Sequence, residues 1–115
     1  MEERYEILVD DYYNRTLTDE ELEYLINTLK ERIRTGVELF AGEIDICRDA
    51  FYHEYGDILE EGRHGTLLRQ LILKLGENEF YSITGWDWEY GSDYEGQTPK
   101  RVKLKPVQVM KWVEV

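Results

Sequence analysis

The chain is 115 residues long, 42% hydrophobic and 13% aromatic, enough to bury one modest core and too apolar for a disordered tail despite 34% charged residues. Its formal net charge of −11 argues against direct binding to nucleic acid or an anionic membrane, because long-range repulsion opposes encounter. A single cysteine, Cys47, allows no internal disulfide and fits a reducing cytoplasm, no apolar run reaches membrane-spanning length, and the acidic start MEERYE is unlike a signal peptide.

In chain order, Tyr5, Leu8, Val9 and Tyr12 recur at the spacing of a helical stripe over residues 2–13, with Asn14 as its stop. Next comes the clearest local signal, Leu17-Thr18-Asp19-Glu20-Glu21-Leu22. Thr18 is an N-cap, Glu21 completes a capping box, Leu17 is placed to staple onto Leu22, and Asp19 and Glu20 favour the positive end of the helix dipole. The spacing predicts a helix carrying Leu22, Leu25, Ile26, Leu29 and Ile33 on one face, with Lys30, Arg32 and Arg34 near its end and Gly36 as its stop. From Val37 to Tyr55 two periods compete. Val37, Phe40, Ile44, Cys47, Phe51 and Tyr55 fit a helix, whereas Glu43 to Cys47 alternates like a strand; the reading leans to helix, ended by Gly56 and by Glu60-Glu61-Gly62.

The stretch Gly62 to Gln97 organises the rest. Leu67 to Leu75 fits a strand or a helix equally well by period. The neighbouring residues decide between them: Gly76-Glu77-Asn78-Glu79 is a short polar turn, and Phe80-Tyr81-Ser82-Ile83-Thr84 is of aromatic and β-branched type. A β-hairpin is expected, with strands at about Thr66 to Leu75 and Phe80 to Trp88. Glu89 to Pro99 reads as a polar loop, and Arg101 to Val115 as strand interrupted at Pro106. The expected fold class is α+β, one domain over residues 1–115, with N-terminal helices followed by a mainly antiparallel sheet. Charge divides with it: residues 1–61 hold 18 acidic and 6 basic side chains, while residues 62–115 hold 7 and 8.

The chemistry-bearing residues favour binding over catalysis. His53, His64 and Cys47 lack zinc-ligand spacing, and Asp10-Asp11 lacks the glycine-bearing calcium loop, so no metal is expected. Cys47 near His53 lies on an acidic segment that raises a thiol's pKa, and reads as a small buried hydrophobe. Gly91 to Gly96 contains acids and no lysine, unlike a phosphate cradle. Asp87, Glu89, Asp93 and Glu95 cluster without a partner to separate their pKa values, and read as a solvated face. No cofactor and no enzymatic activity are expected. The sharper set is Arg63, His64, Arg69, Phe80, Tyr81, Trp86, Trp88, Gln97 and Arg101, because guanidinium groups grip phosphate oxygens and flat rings offer stacking surface. Trp86 and Trp88 share a parity and so one strand face. The same residues also suit a core rimmed by ion pairs, and the sequence does not separate the two.

Residues Arg63-His64, the Leu67 to Leu75 strand, Phe80-Tyr81 with Trp86, the Gly91 to Gln97 loop and Pro106-Val107 together resemble small phage-encoded anti-defence proteins, and within them the anti-Thoeris sponge family. The resemblance implies an oligomer in the host cytoplasm that holds a signalling nucleotide, of cyclic nucleotide or cyclic ADP-ribose type, between subunits without cleaving it. A homo-oligomer is also expected from the short chain, which has little depth to enclose a ligand, with Val107 to Val115 as the pairing strand. The alternative is an acidic inhibitor that docks on a host nucleic-acid-binding protein by imitating DNA, since carboxylates spaced along helices can occupy a basic groove.

Overall fold

Helices occupy the chain as far as Ala50, and a sheet follows from Tyr52, still within the acidic half. The computed structural model describes residues 2–14, 16–89, 91–94, 97–105 and 111–115. Among these the helices are α1 (Glu3–Asp11), α2 (Asp19–Thr35) and α3 (Ala41–Ala50), and the strands are β1 (Tyr52–Glu61), β2 (Leu67–Gly76), β3 (Glu79–Trp88), β4 (Gly91–Asp93), β5 (Lys100–Lys105) and β6 (Lys111–Glu114). All pairings are antiparallel, in the order β1-β2-β3-β5-β6, with β4 also paired to β3. The class is the expected α+β. No helix among the described residues is long and apolar enough to cross a membrane.

Local signals set α2. Thr18 Oγ1 accepts the Glu21 N–H at 3.1 Å and the Glu21 carboxylate accepts the Thr18 N–H at 3.0 Å, a complete capping box. At the far end Gly36 is left-handed (φ 71°), and the Gly36 and Val37 N–H groups bond back to Ile33 and Arg32 in a Schellman arrangement. The buried stripe narrows to Leu25, Leu29 and Ile33. Leu22 stays 39% exposed while Leu17 packs on the core.

These residues join Tyr5, Leu8 and Val9 of α1, Ile44, Ile46 and Cys47 of α3, and Leu71, Leu73, Leu75, Tyr81 and Ile83 of the sheet in one core. Each fully buried Leu or Ile contributes about 1.5–3 kcal/mol of transfer free energy. The helical layer is tied at Glu43, which is fully buried. Its carboxylate accepts Arg32 Nε at 2.6 Å and Nη2 at 2.9 Å, Tyr5 Oη at 2.6 Å and the Phe40 N–H at 3.1 Å, so one side chain joins all three helices. Burial and the bond to Glu43 push the Tyr5 hydroxyl pKa well up.

The competition between Val37 and Tyr55 resolves to both structures. Residues 41–50 are helical, including Glu43 to Cys47, and β1 begins at Tyr52, so Tyr55 belongs to a strand and the sheet starts before Gly62. Gly56 lies within β1 and ends no element, whereas Glu60-Glu61-Gly62 does mark an end, that of β1 at Glu61. Strand alternation is hidden there because β1 is an edge strand with register shifts against β2, so it never shows one clean buried face. The polar loop after β3 is likewise not all loop, because Gly91–Asp93 pairs with β3. Pro106, Val107 and Val109 lie outside the described residues.

The sheet curls, so its second face also closes on itself. Ile72, Val102 and Trp112 are buried there with Phe80 against them, and the rings of His53, Phe80 and Trp112 lie within 5.7 Å of one another. Trp112 Nε1 of β6 donates to Glu54 of β1 at 2.8 Å, bringing the two outermost strands together at one end.

The β2–β3 turn is strapped to α2. Arg34 Nε and Nη2 grip both Glu79 oxygens at 2.8 and 2.9 Å, and this hydrogen bonding, aided by the Tyr81 hydroxyl, lowers the Glu79 pKa from 4.5 to about 2. A depressed carboxylate pKa adds stability that is present above 4.5 and lost as pH falls towards 2. Acid titration of folding stability should therefore lose this increment across that window, and Arg34→Ala should remove it, flattening the curve there by about 1 kcal/mol. An unchanged acid limb in Arg34→Ala would show that the strap carries no stability.

Candidate functional site

One tight turn brings part of the sharper sequence set to one end of the sheet. Arg63-His64-Gly65-Thr66 connects β1 to β2. His64 (φ 56°, ψ 36°) and Gly65 (φ 74°) are both left-handed, and the Thr66 N–H returns to the Arg63 carbonyl at 3.1 Å, the signature of a type I′ hairpin turn. The RHG triplet thus has a structural task, with His64 in the place usually taken by Asn or Asp. The His-Gly pair between two strand-like runs is the signal that would have shown it in the sequence.

Beside this turn, β3 alternates. Trp86 pairs across to Leu68, on the sheet face opposite the helical core, while Asp87 pairs to Leu67 on the helix side. Trp86 and Trp88 share the first of these faces, as their parity implies. With Gly62, Arg63, Thr66 and Asp93 they line an open groove of about 370 Å³. Gly62 is needed because a Cβ there would collide with Thr66 Oγ1 and press on the Trp86 ring at 3.0 Å. Trp88 remains 41% exposed and Trp86 half-buried; the tryptophan that serves the core is Trp112, 7% exposed. On the far side of Trp88, a second hollow of about 420 Å³ is lined by His64, Arg69, Asp87 and Glu89 among others.

Asp87 does not belong to a solvated carboxylate face. It accepts the Tyr94 hydroxyl at 2.8 Å and lies 3.7 Å from Arg48 Nη2 and 3.8 Å from Arg69 Nε. Arg48 stacks on the Tyr94 ring at 4.6 Å and Arg69 on the Tyr55 ring at 4.2 Å. This hub joins α3, β1, β2 and β3, and holds the Tyr94 side chain flat over Gly85. Burial, then the bond to Asp87, push the Tyr94 pKa well up. Asp93 pairs with Trp86 and so sits on the other face, and Glu95 lies outside the described residues.

The remaining members of the set are not brought together. Phe80 packs on Trp112 at 4.9 Å, Tyr81 is buried with its hydroxyl on Glu79 at 2.9 Å, and Arg101 lies over Tyr81 at 5.5 Å with Nη2 on the Asn78 carbonyl, all at the opposite end of β3. Gln97 uses its backbone, accepting the Leu39 N–H at 3.0 Å. Arg48 and Tyr94 were missed in the sequence because Arg48, on α3, meets Tyr94 only through tertiary packing. Cys47 is fully buried, and its pKa is driven up first by desolvation and then by Glu43, which leaves the thiol unreactive. Among the described residues no three His, Cys, Asp or Glu side chains gather to hold a metal. No protein-family model matches the chain, and neither a curated protein nor a solved structure matches it at a significant level.

Proposed function

We propose that the protein is a non-catalytic binder of a small nucleotide, held in the groove of Trp86, Trp88 and Arg63. The observation that carries this is the placement of two indole rings and one guanidinium around a single open groove of about 370 Å³. An indole stacks on any base for about 1–3 kcal/mol, and a guanidinium can take two phosphate oxygens at once. The net charge of −11 and the Asp93 carboxylate at the groove oppose highly charged ligands. That favours nucleotides with no terminal phosphate, whose phosphates each carry a single charge, such as cyclic nucleotides or cyclic ADP-ribose, over nucleoside triphosphates. The role is sequestration of a signalling nucleotide, as in a phage anti-defence sponge.

Calorimetric titration with cyclic mononucleotides, cyclic dinucleotides and cyclic ADP-ribose isomers should give saturable binding to one of them, with the ligand recovered intact after denaturation. Trp86→Ala and Arg63→Ala should each weaken it about 5- to 100-fold, whereas His64→Asn, which keeps the left-handed turn, should leave the fold unchanged. No heat with any of these ligands, or recovery of a cleaved product, would sink the reading. The second reading, an acidic inhibitor of a nucleic-acid-binding protein, is favoured by the exposed carboxylates of α1 and α2, among them Glu6, Glu20 and Glu23. Salt-sensitive capture of one such protein by the purified chain, with no bound nucleotide, would support it instead.

A further inference from the structure

We propose that the β5–β6 ribbon is a docking surface for the outer face of α1 in a second copy of this chain. The inference is independent of the nucleotide groove. Residues 100–111 hold five of the 14 basic residues and no acid, on a chain whose net charge is −11. In the ladder Lys105 stands directly opposite Lys111, and Lys103 opposite Val113, so three lysines and one valine share a face. All three lysines are exposed, and among the described residues none of them makes an ion pair; Lys100, which does, points to the other face with Glu114 at 3.7 Å. Like charges directly across a ladder destabilise it. A counter-charge brought from outside removes that penalty.

The complementary surface is on α1. Glu3, Glu6 and Asp10 are exposed and make no ion pair among the described residues, and Ile7, between them, is 52% exposed. By helix and strand rise, each surface therefore gathers three like charges around one apolar side chain within about 10 Å. Two copies repel as whole bodies, but the screening length is about 8 Å at 0.15 M salt, short against dimensions of 45 × 34 × 21 Å. The contact charges then outweigh the distant ones. Association should consequently be strongest at intermediate ionic strength: at low salt whole-body repulsion wins, and at high salt the contact pairs are screened.

Lysines on an outer strand also serve to keep sheet edges apart, and that role makes the opposite prediction. Sedimentation equilibrium of the full chain at about 0.01, 0.15 and 1 M salt should give a mass above 13.8 kDa that is largest at the middle value. The triple variant K103A/K105A/K111A should shift the mass towards the monomer, as should E3K/E6K/D10K. Mixing E3K/E6K/D10K with K103E/K105E/K111E should restore a heavier species, which a merely misfolded variant could not do. A monomer at every salt, or an alanine triple that associates more strongly than the parent, would overturn the proposal. So would a monomeric parent retained on a DNA column through these lysines, since the patch would then serve a polyanion.

Discussion

Replacing Glu43 by alanine should destabilise the fold by about 3–5 kcal/mol, because it leaves the Arg32 guanidinium part-buried without its partner. Against a total of about 5–15 kcal/mol for a native domain, that places the variant near the edge of folding. Glu43 accepts four hydrogen bonds, from Arg32 twice, from Tyr5 and from the Phe40 backbone, so its loss acts on α1, α2 and α3 together. Tyr5→Phe removes one of these bonds and should cost only about 1 kcal/mol. In the double variant R32M/E43L no buried charge is left unpaired, and much of the stability should return. Urea unfolding followed by circular dichroism measures all of these; a loss below about 1 kcal/mol for Glu43→Ala would show that the helical layer is held by apolar packing alone.

The second large effect is expected at Gly85. A Cβ there would collide with the Tyr94 ring at Cγ and Cδ1 and come within 2.5 Å of the Asp93 carbonyl oxygen, so a side chain and a backbone are both in the way. Overpacking of this kind costs about 1–3 kcal/mol or more. The strain falls on β4 and the residue after it, so Gly85→Ala should shift Asp93, which lines the groove, and weaken any ligand bound there. Removing the ring in G85A/Y94A should recover only part of the loss, because the Asp93 carbonyl remains. An alanine variant as stable as the parent, with unaltered tryptophan fluorescence, would mean that β4 sits more loosely against β3 than the distances indicate.

What was legible in the sequence depended on how local its cause was. The capping box at Thr18, the Gly36 stop and the β2–β3 hairpin depend on neighbours a few residues apart, and all are present. The first strand was illegible because its outward side chains and register shifts erase the alternation that marks a half-buried strand; Tyr52, Tyr55, Ile58 and Leu59 are all substantially exposed. The short β4 carries too few residues to show a period, and it is held by pairing and by the Tyr94 ring over Gly85. At the groove, the shared face of Trp86 and Trp88 was readable from parity alone. Arg48, which contacts Tyr94 and Asp87, was not, because nothing near it in the chain announces the contact. Phe80, Tyr81 and Arg101 have the right chemistry for a nucleotide site, but the length of β3 carries them to its far end.

The two hairpin turns also bear on the order in which the chain can organise itself. Every residue lining the tryptophan groove falls between Gly62 and Asp93, and β1, β2 and β3 succeed one another through short connections. Closing such short loops costs little chain entropy, whereas docking the helices on the sheet must bring together distant parts of the chain, as Arg34 and Glu79 are. The groove is therefore built largely from contacts closed through short connections, and only its Asp93 wall, next to Tyr94 packed on Arg48 of α3, waits on the helical layer.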